Sequence, residues 1–115
     1  MGALLTDMTD SIKELTSEIR SFVDARGWLS RGRADLKGIA ISISLEAAEL
    51  LELFQWVKDD EVEARVEKHQ EDIADELADV AIYTFQFADR AGIDLAAAIR
   101  RKMEKNGVKY PVETA

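Results

Sequence analysis

The stretch Ile39-Ala40-Ile41-Ser42-Ile43-Ser44-Leu45-Glu46-Ala47-Ala48-Glu49-Leu50-Leu51-Glu52-Leu53-Phe54 opens a segment, 39–91, without a glycine or a proline. Strands joined by tight turns need those residues as punctuation, so the segment reads as helix. At about 100° per residue, Ile39, Ile43, Leu50, Leu53, Phe54 and Val57 fall in one apolar stripe. Glu46 lies near the centre of that stripe and Glu49 at its edge, whereas Glu52 points to the far side. A carboxylate in the middle of an apolar face costs several kcal/mol unless it is paired, protonated or bound to a cation. Glu46 is therefore not incidental surface charge.

The same pattern recurs thirty residues on. Ile73, Val80, Tyr83 and Phe87 form a stripe that includes Glu76, with Asp79 on its flank and Gln86 further along that edge. Each helix thus carries an acid-x-x-acid pair, Glu46/Glu49 and Glu76/Asp79, one turn apart on one face. Helices packed through these stripes bring four carboxylates together. Such a group cannot ionise fully in a partly dry site without cations, and hard, oxygen-liganded divalent ions suit it. A single pair of this kind is common on solvated helix surfaces; two pairs, each with a member inside an apolar stripe, favour a metal site. A di-iron bundle would need two Glu-x-x-His motifs. The single histidine, His69, has Val66 three residues before it and sits in a polar stretch, where it reads as solvent-facing.

Outward from these two helices, a first helix is expected from about Thr9 to Arg26, with Ile12, Leu15, Ile19, Phe22 and Val23 recurring at helical spacing and Gly27 as its stop, followed by a basic connector from Ser30 to Gly38. The second helix is expected over Ile39–Lys58. A third, capped by Asp59 or Asp60, continues to about Arg90, with weak periodicity over Glu61–Glu71 that marks a separate or frayed piece. A fourth, capped by Asp94, runs from Leu95 to about Asn106 with Gly107 as its terminal glycine. The expectation is one all-α domain over residues 1–115, a four-helix antiparallel bundle. Ile41, Leu45 and Ala48 on one central helix and Ala78, Ile82 and Phe85 on the other give second apolar faces. One bundle interior cannot cover both, which implies a homodimer or homotetramer.

The chain has 115 residues, 15 Lys+Arg against 23 Asp+Glu, a net charge of −8 and no cysteine. The length supports one domain with a self-sufficient core. Disulfides, thiolate metal sites and a cysteine nucleophile are excluded. The acid excess argues against polymeric nucleic acid, whose affinity comes from clustered Lys and Arg. The N-terminus lacks a signal-peptide pattern and no apolar run reaches about 20 residues, so no membrane partner and a cytoplasmic location are expected.

Three blocks carry a family resemblance: Leu45–Trp56 (LEAAELLELFQW), Asp75–Tyr83 (DELADVAIY) and Lys102–Pro111 (KMEKNGVKYP). In that order they resemble the MazG-like all-α nucleoside triphosphate pyrophosphohydrolases, nearest the dCTP pyrophosphatase branch, over about residues 28–112. The resemblance implies hydrolysis between the α- and β-phosphates of a (d)NTP, dCTP or a related pyrimidine, to monophosphate and pyrophosphate in nucleotide-pool cleansing. It implies Mg²⁺, with Mn²⁺ as the alternative, on Glu46, Glu49, Glu76 and Asp79. Glu49, and next Glu46, would take the proton of the attacking water. Lys37, Lys102, Asn106, Lys109 and Tyr110 match phosphate-contacting or pocket-closing positions, and Trp28, Trp56 and Tyr83 match aromatic positions near the nucleotide. The connector Arg33-Ala34-Asp35-Leu36-Lys37-Gly38 departs from the family's aromatic-His and Pro-Lys-Asn pattern, and Trp28 lies about two residues farther from Glu46 than its counterpart. Two other readings compete: a phosphoribosyl-ATP pyrophosphohydrolase-like enzyme, and a non-catalytic helical module that binds nucleotide or a partner helix. The Phe54-Gln55-Trp56 and Lys109-Tyr110-Pro111 blocks disfavour the first. Buried-facing acids have little use in the second.

Overall fold

Ser11 opens the first helix by accepting a 3.0 Å hydrogen bond on its Oγ from the backbone N–H of Glu14, which satisfies one of the free donors of the first turn. The computed structural model describes residues 11–28 and 31–113. Among them it places five α-helices and two short 3₁₀ turns, and no strand. The expected start of the first helix at Thr9 lies outside the described residues.

Helix α1, Ile12–Ala25, buries Val23 and half-buries Ile12, Leu15 and Ile19, as its spacing predicts. Phe22, expected to join them, is 51% exposed. The chain leaves α1 through Gly27 (φ 66°), where the left-handed turn favours a residue without Cβ. In the connector, a 3₁₀ turn over Gly32–Asp35 is tied by Asp35, whose buried carboxylate accepts from the Arg31 backbone N–H and Nε, both at 3.0 Å. Pinning the connector this way sets where the next helix begins.

Helix α2 runs Leu36–Glu52, three residues earlier at its start and six earlier at its end than expected. Its end has no glycine or proline. Phe54, Trp56 and Val57, an aromatic and β-branched group of modest helix propensity, occupy a tight turn held by Phe54 N–H to Leu51 O (2.9 Å) and Val57 N–H to Phe54 O (3.0 Å). A 3₁₀ turn over Asp59–Glu61 follows. The expected third helix is then split into α3, Val62–Lys68, and α4, Gln70–Ala91. The break falls at His69 (φ −115°, ψ 29°), inside the segment whose periodicity is weak. His69 is half-buried rather than solvent-facing, because Arg65 Nη1 donates to its Nε2 at 2.8 Å across the break.

Gly92 (φ 71°) ends α4, with the Ile93 N–H reaching back to Ala88 O at 2.8 Å. Asp94 caps α5, Leu95–Lys109, by accepting from the Ala97 N–H at 3.0 Å. Gly107 does not end this helix; it is an interior residue. The stop comes at Tyr110 (φ −126°, ψ 72°), because the residue before Pro111 is pushed out of the helical region.

The core is thin. Helix α4 packs on α2 and, less extensively, on α1, while α5 buries no residue and packs little on the rest. Val23, Ile39 and Ala88 are the buried apolar residues among those described. The Arg20 guanidinium ties α1 to α4 by a two-pronged ion pair with Asp89, the Nε–Oδ2 arm at 2.9 Å. Of the second apolar faces, Ile41 (51%), Leu45 (60%), Ala48, Ala78 and Ile82 are exposed while Phe85 is half-buried, and Leu51 and Leu77 are exposed as well. A radius of gyration of 17.4 Å exceeds the roughly 13 Å of a compact domain of this size. No helix among the described residues is long and apolar enough to cross a membrane.

Candidate active site

The α2–α4 seam is built by the two stripes that sequence periodicity defines. Ile39 is buried and Ile43 and Leu50 half-buried on α2, with Leu53 half-buried just past its end; Ile73, Val80, Tyr83 and Phe87 are half-buried on α4. Glu46 and Glu76 ride inside these stripes and meet across the seam. Glu46, Glu49 and Glu76 each offer a carboxylate oxygen within 4.8 Å of the other two. Glu49 is exposed at the rim, whereas Glu46 and Glu76 are partly buried.

Two oxygens, Glu46 Oε2 and Glu76 Oε2, are fully enclosed and accept no hydrogen bond. Desolvation pushes the Glu46 carboxyl above the ordinary carboxylate range, and the neighbouring Glu49 and Asp79 carboxylates push it further. Glu76 is pushed up to about 7, again first by desolvation and then by Glu49, Glu46 and Asp79. Asp79 lies outside the close trio but near enough for its charge to act on both. Enclosed, unpartnered and mutually repelling carboxylate oxygens are what a hard cation relieves. The donor set fits a divalent ion of the Mg²⁺ or Mn²⁺ kind.

Beside the cluster, α1 and α4 flank an open cavity of about 630 Å³, within the range of small-molecule sites. Asp79 lines it, which joins the cavity to the carboxylates. Trp28 and Tyr83 also line it, with Phe22, Ile19 and Ile82. Trp28 stacks edge-to-face on Phe22, with ring centroids 5.9 Å apart. Three lining groups from α1, namely Glu18, Ile19 and Phe22, were not among the sequence candidates. The family resemblance begins at about residue 28, and periodicity marks Ile19 and Phe22 only as apolar positions at helical spacing. The exposed, aromatic Phe22 next to Trp28 is the signal that the helix contributes a wall.

The remaining candidates are not gathered there. Trp56 is 87% exposed and lines a different cavity, of about 440 Å³, with Arg65, Lys68 and His69. Lys37 is exposed in the first turn of α2. Lys102, Asn106, Lys109 and Tyr110 lie along and just past α5, where Lys109 Nζ sits 5.3 Å from the centroid of the Tyr110 ring. None of these six lines the cavity beside the carboxylates.

Fold and site together define an all-α protein with an oxygen-only acidic cluster between two packed helices and an aromatic cavity beside it. The chain belongs to the MazG-like family, whose model matches residues 41–115. It is similar to dCTP pyrophosphatase 1 of Mus musculus, 37% identical over 78 residues covering 66% of this chain and 46% of the relative. It is also similar to dCTP pyrophosphatase 1 of Homo sapiens, 36% identical over 81 residues covering 69% of this chain and 48% of the relative. The chain thus spans about half the length of the curated relatives it matches. Among solved structures, a pyrophosphatase from Archaeoglobus fulgidus superimposes with a TM-score of 0.80 at 44% identity, covering 87% of this chain and 92% of that one.

Proposed function

We propose that this protein is a divalent-metal-dependent nucleoside triphosphate pyrophosphohydrolase that cleaves between the α- and β-phosphates, with dCTP or a related pyrimidine dNTP as substrate. The observation that carries the reading is the convergence of Glu46, Glu49 and Glu76 within 4.8 Å with two enclosed, unpartnered oxygens. Membership of the MazG-like family and similarity to proteins named dCTP pyrophosphatase support it. The reading places the protein in the cytoplasm as a nucleotide-pool enzyme.

Glu46, Glu49, Glu76 and Asp79 would hold Mg²⁺ or Mn²⁺, which when bound offsets the negative charge of the polyphosphate and of the departing pyrophosphate. Glu49, at the exposed rim, accepts the proton of the attacking water as its oxygen bonds to the α-phosphorus. The bond from that phosphorus to the α–β bridging oxygen breaks, and pyrophosphate leaves with the electron pair. Glu46 is the second choice for the base. Trp28 and Tyr83 wall the nucleoside pocket, and Lys37, Trp56, Lys102, Asn106, Lys109 and Tyr110 are the proposed additional substrate contacts.

The same reading includes a homodimer or homotetramer with pockets shared between chains. The open Leu45, Leu51 and Leu77 faces, the expanded single chain and the loosely packed α5 support it. The test is a panel of ordinary and modified NTPs and dNTPs with Mg²⁺, scored for monophosphate and pyrophosphate. Release of both from a pyrimidine dNTP is the expected result. No turnover across the panel would transfer the fold to a nucleotide- or partner-binding role.

A further inference from the structure

His69 stands at the joint between α3 and α4, and its ring lies between two groups of opposite charge. Arg65 Nη1 is 2.8 Å from Nε2, and Asp72 Oδ2 is 3.5 Å from Nδ1. A guanidinium carries donors only, so Nε2 is the bare, accepting nitrogen, and the one proton of a neutral ring sits on Nδ1, facing Asp72. The bond to Arg65 therefore exists only while the ring is neutral. A proton on Nε2 would point one N–H at another and set two cations at hydrogen-bond distance. The same charge strengthens the attraction of Asp72. Charging the ring thus exchanges one partner for the other.

The consequence falls on α3. This helix has seven residues, buries none of them and packs chiefly on α4 and the 3₁₀ turn before it. A helix that short does not hold itself together in water. Arg65 is half-buried, and its Nε is enclosed without a hydrogen bond, so the bond to His69 is what offsets the enclosure of the guanidinium. Losing it favours a swing of Arg65 out to water. Lys68, also on α3, repels a charged ring, while Asp60 and Glu61 on the 3₁₀ turn attract Arg65 and a charged ring alike and do not decide between the two states. We propose that His69 is a pH-sensitive latch. Neutral, it holds Arg65 and with it α3 against α4; charged, it turns to Asp72 and releases α3. The wall of the 440 Å³ cavity that carries Trp56 loosens with it, because Arg65 and His69 both line that cavity.

The latch is independent of the nucleotide-hydrolase reading, since Arg65, His69 and Asp72 do not line the cavity beside the carboxylates. Amide hydrogen exchange of the full chain, followed by mass spectrometry and corrected for the intrinsic pH dependence of exchange, reads it over α3. Protection there should fall about tenfold between pH 8 and pH 5, the span in which an imidazole changes charge, as loss of a hydrogen bond to a charged group implies. His69→Gln, whose amide oxygen accepts from Arg65 at any pH, should keep the protection at both values, and Arg65→Met should lack it at both. Carboxylates that titrate elsewhere are common to the unaltered protein and His69→Gln, so the difference between the two isolates the ring. Protection unchanged from pH 8 to pH 5 in the unaltered protein, or lost equally in His69→Gln, overturns the proposal. If circular dichroism shows either variant to be less helical at pH 8, proton NMR of the unaltered protein carries the test. The His69 ring and Trp56 indole signals should then move with one midpoint, and separate midpoints overturn the latch.

Discussion

Loading the carboxylate cluster with a divalent cation should expel protons in an amount set by Glu76. With its carboxyl pushed up to about 7 from an ordinary 4.5, Glu76 in the metal-free protein is protonated to about 0.9 at pH 6, 0.5 at pH 7 and 0.1 at pH 8. An ordinary glutamate would hold less than about 0.05 of a proton at pH 6. A cation needs the ionised form, so binding releases that fraction, and Glu46, raised by the same causes, adds to it. Isothermal titration of Mn²⁺ or Mg²⁺ in two buffers of different ionisation enthalpy reads the release directly. It should be at least about half a proton at pH 7 and fall steeply by pH 8. Release near zero at both pH 6 and pH 7 would refute the argument from burial and mutual repulsion. The same shift governs stability. A carboxyl whose folded value lies above its unfolded one favours folding when protonated, so the metal-free fold should lose stability as pH rises from about 4.5 to 7. Glu76→Gln should flatten that loss and weaken cation binding together.

Replacing Glu49 or Asp79 with Ala should lower pyrophosphate release at least a hundredfold while circular dichroism keeps the helical signal; turnover retained in both would remove the site assignment. Asp89→Asn breaks the two-pronged pair with Arg20 and should cost about 1 kcal/mol in denaturant unfolding, since one partner is half exposed. Arg20 holds the Asp89 carboxyl below its ordinary range, so this contribution is present near neutral pH and disappears on acidification; the variant should lack that acid-dependent component. Leu45→Arg, on the open face of α2, should shift light-scattering mass toward the single chain if that face joins copies, whereas a 12.9 kDa species from the unaltered protein would dismiss the oligomer.

Helical periodicity made the seam legible because packing follows it. The α2 residues placed inward from the sequence are buried or half-buried, and Ile41 and Leu45, placed on a second face, are exposed. Glu46 and Glu76 were marked by their position inside apolar stripes, a signal that needs no tertiary information. Helix ends were less legible where the stop depends on backbone geometry. The turn after Glu52 and the break at His69 have no glycine or proline, and Gly107 is passed through because Pro111 sets the stop. The cavity wall from α1 was hidden for another reason. Periodicity puts Ile19 and Phe22 at apolar helical spacing without saying that the surface opposite them is a void. Trp56 was grouped with Trp28 and Tyr83 by family position, yet in the single chain the turn after α2 carries it to a separate cavity.

The proposed α–β cleavage at the carboxylate cluster fixes which phosphorus receives the water oxygen. Phosphorus NMR of dCTP incubated with the protein and Mg²⁺ in ¹⁸O-labelled water follows both products and the point of attack at once. Equal amounts of dCMP and pyrophosphate, with the label on dCMP, are the expected result. Formation of dCDP and inorganic phosphate, label in the pyrophosphate, or unchanged dCTP would contradict it.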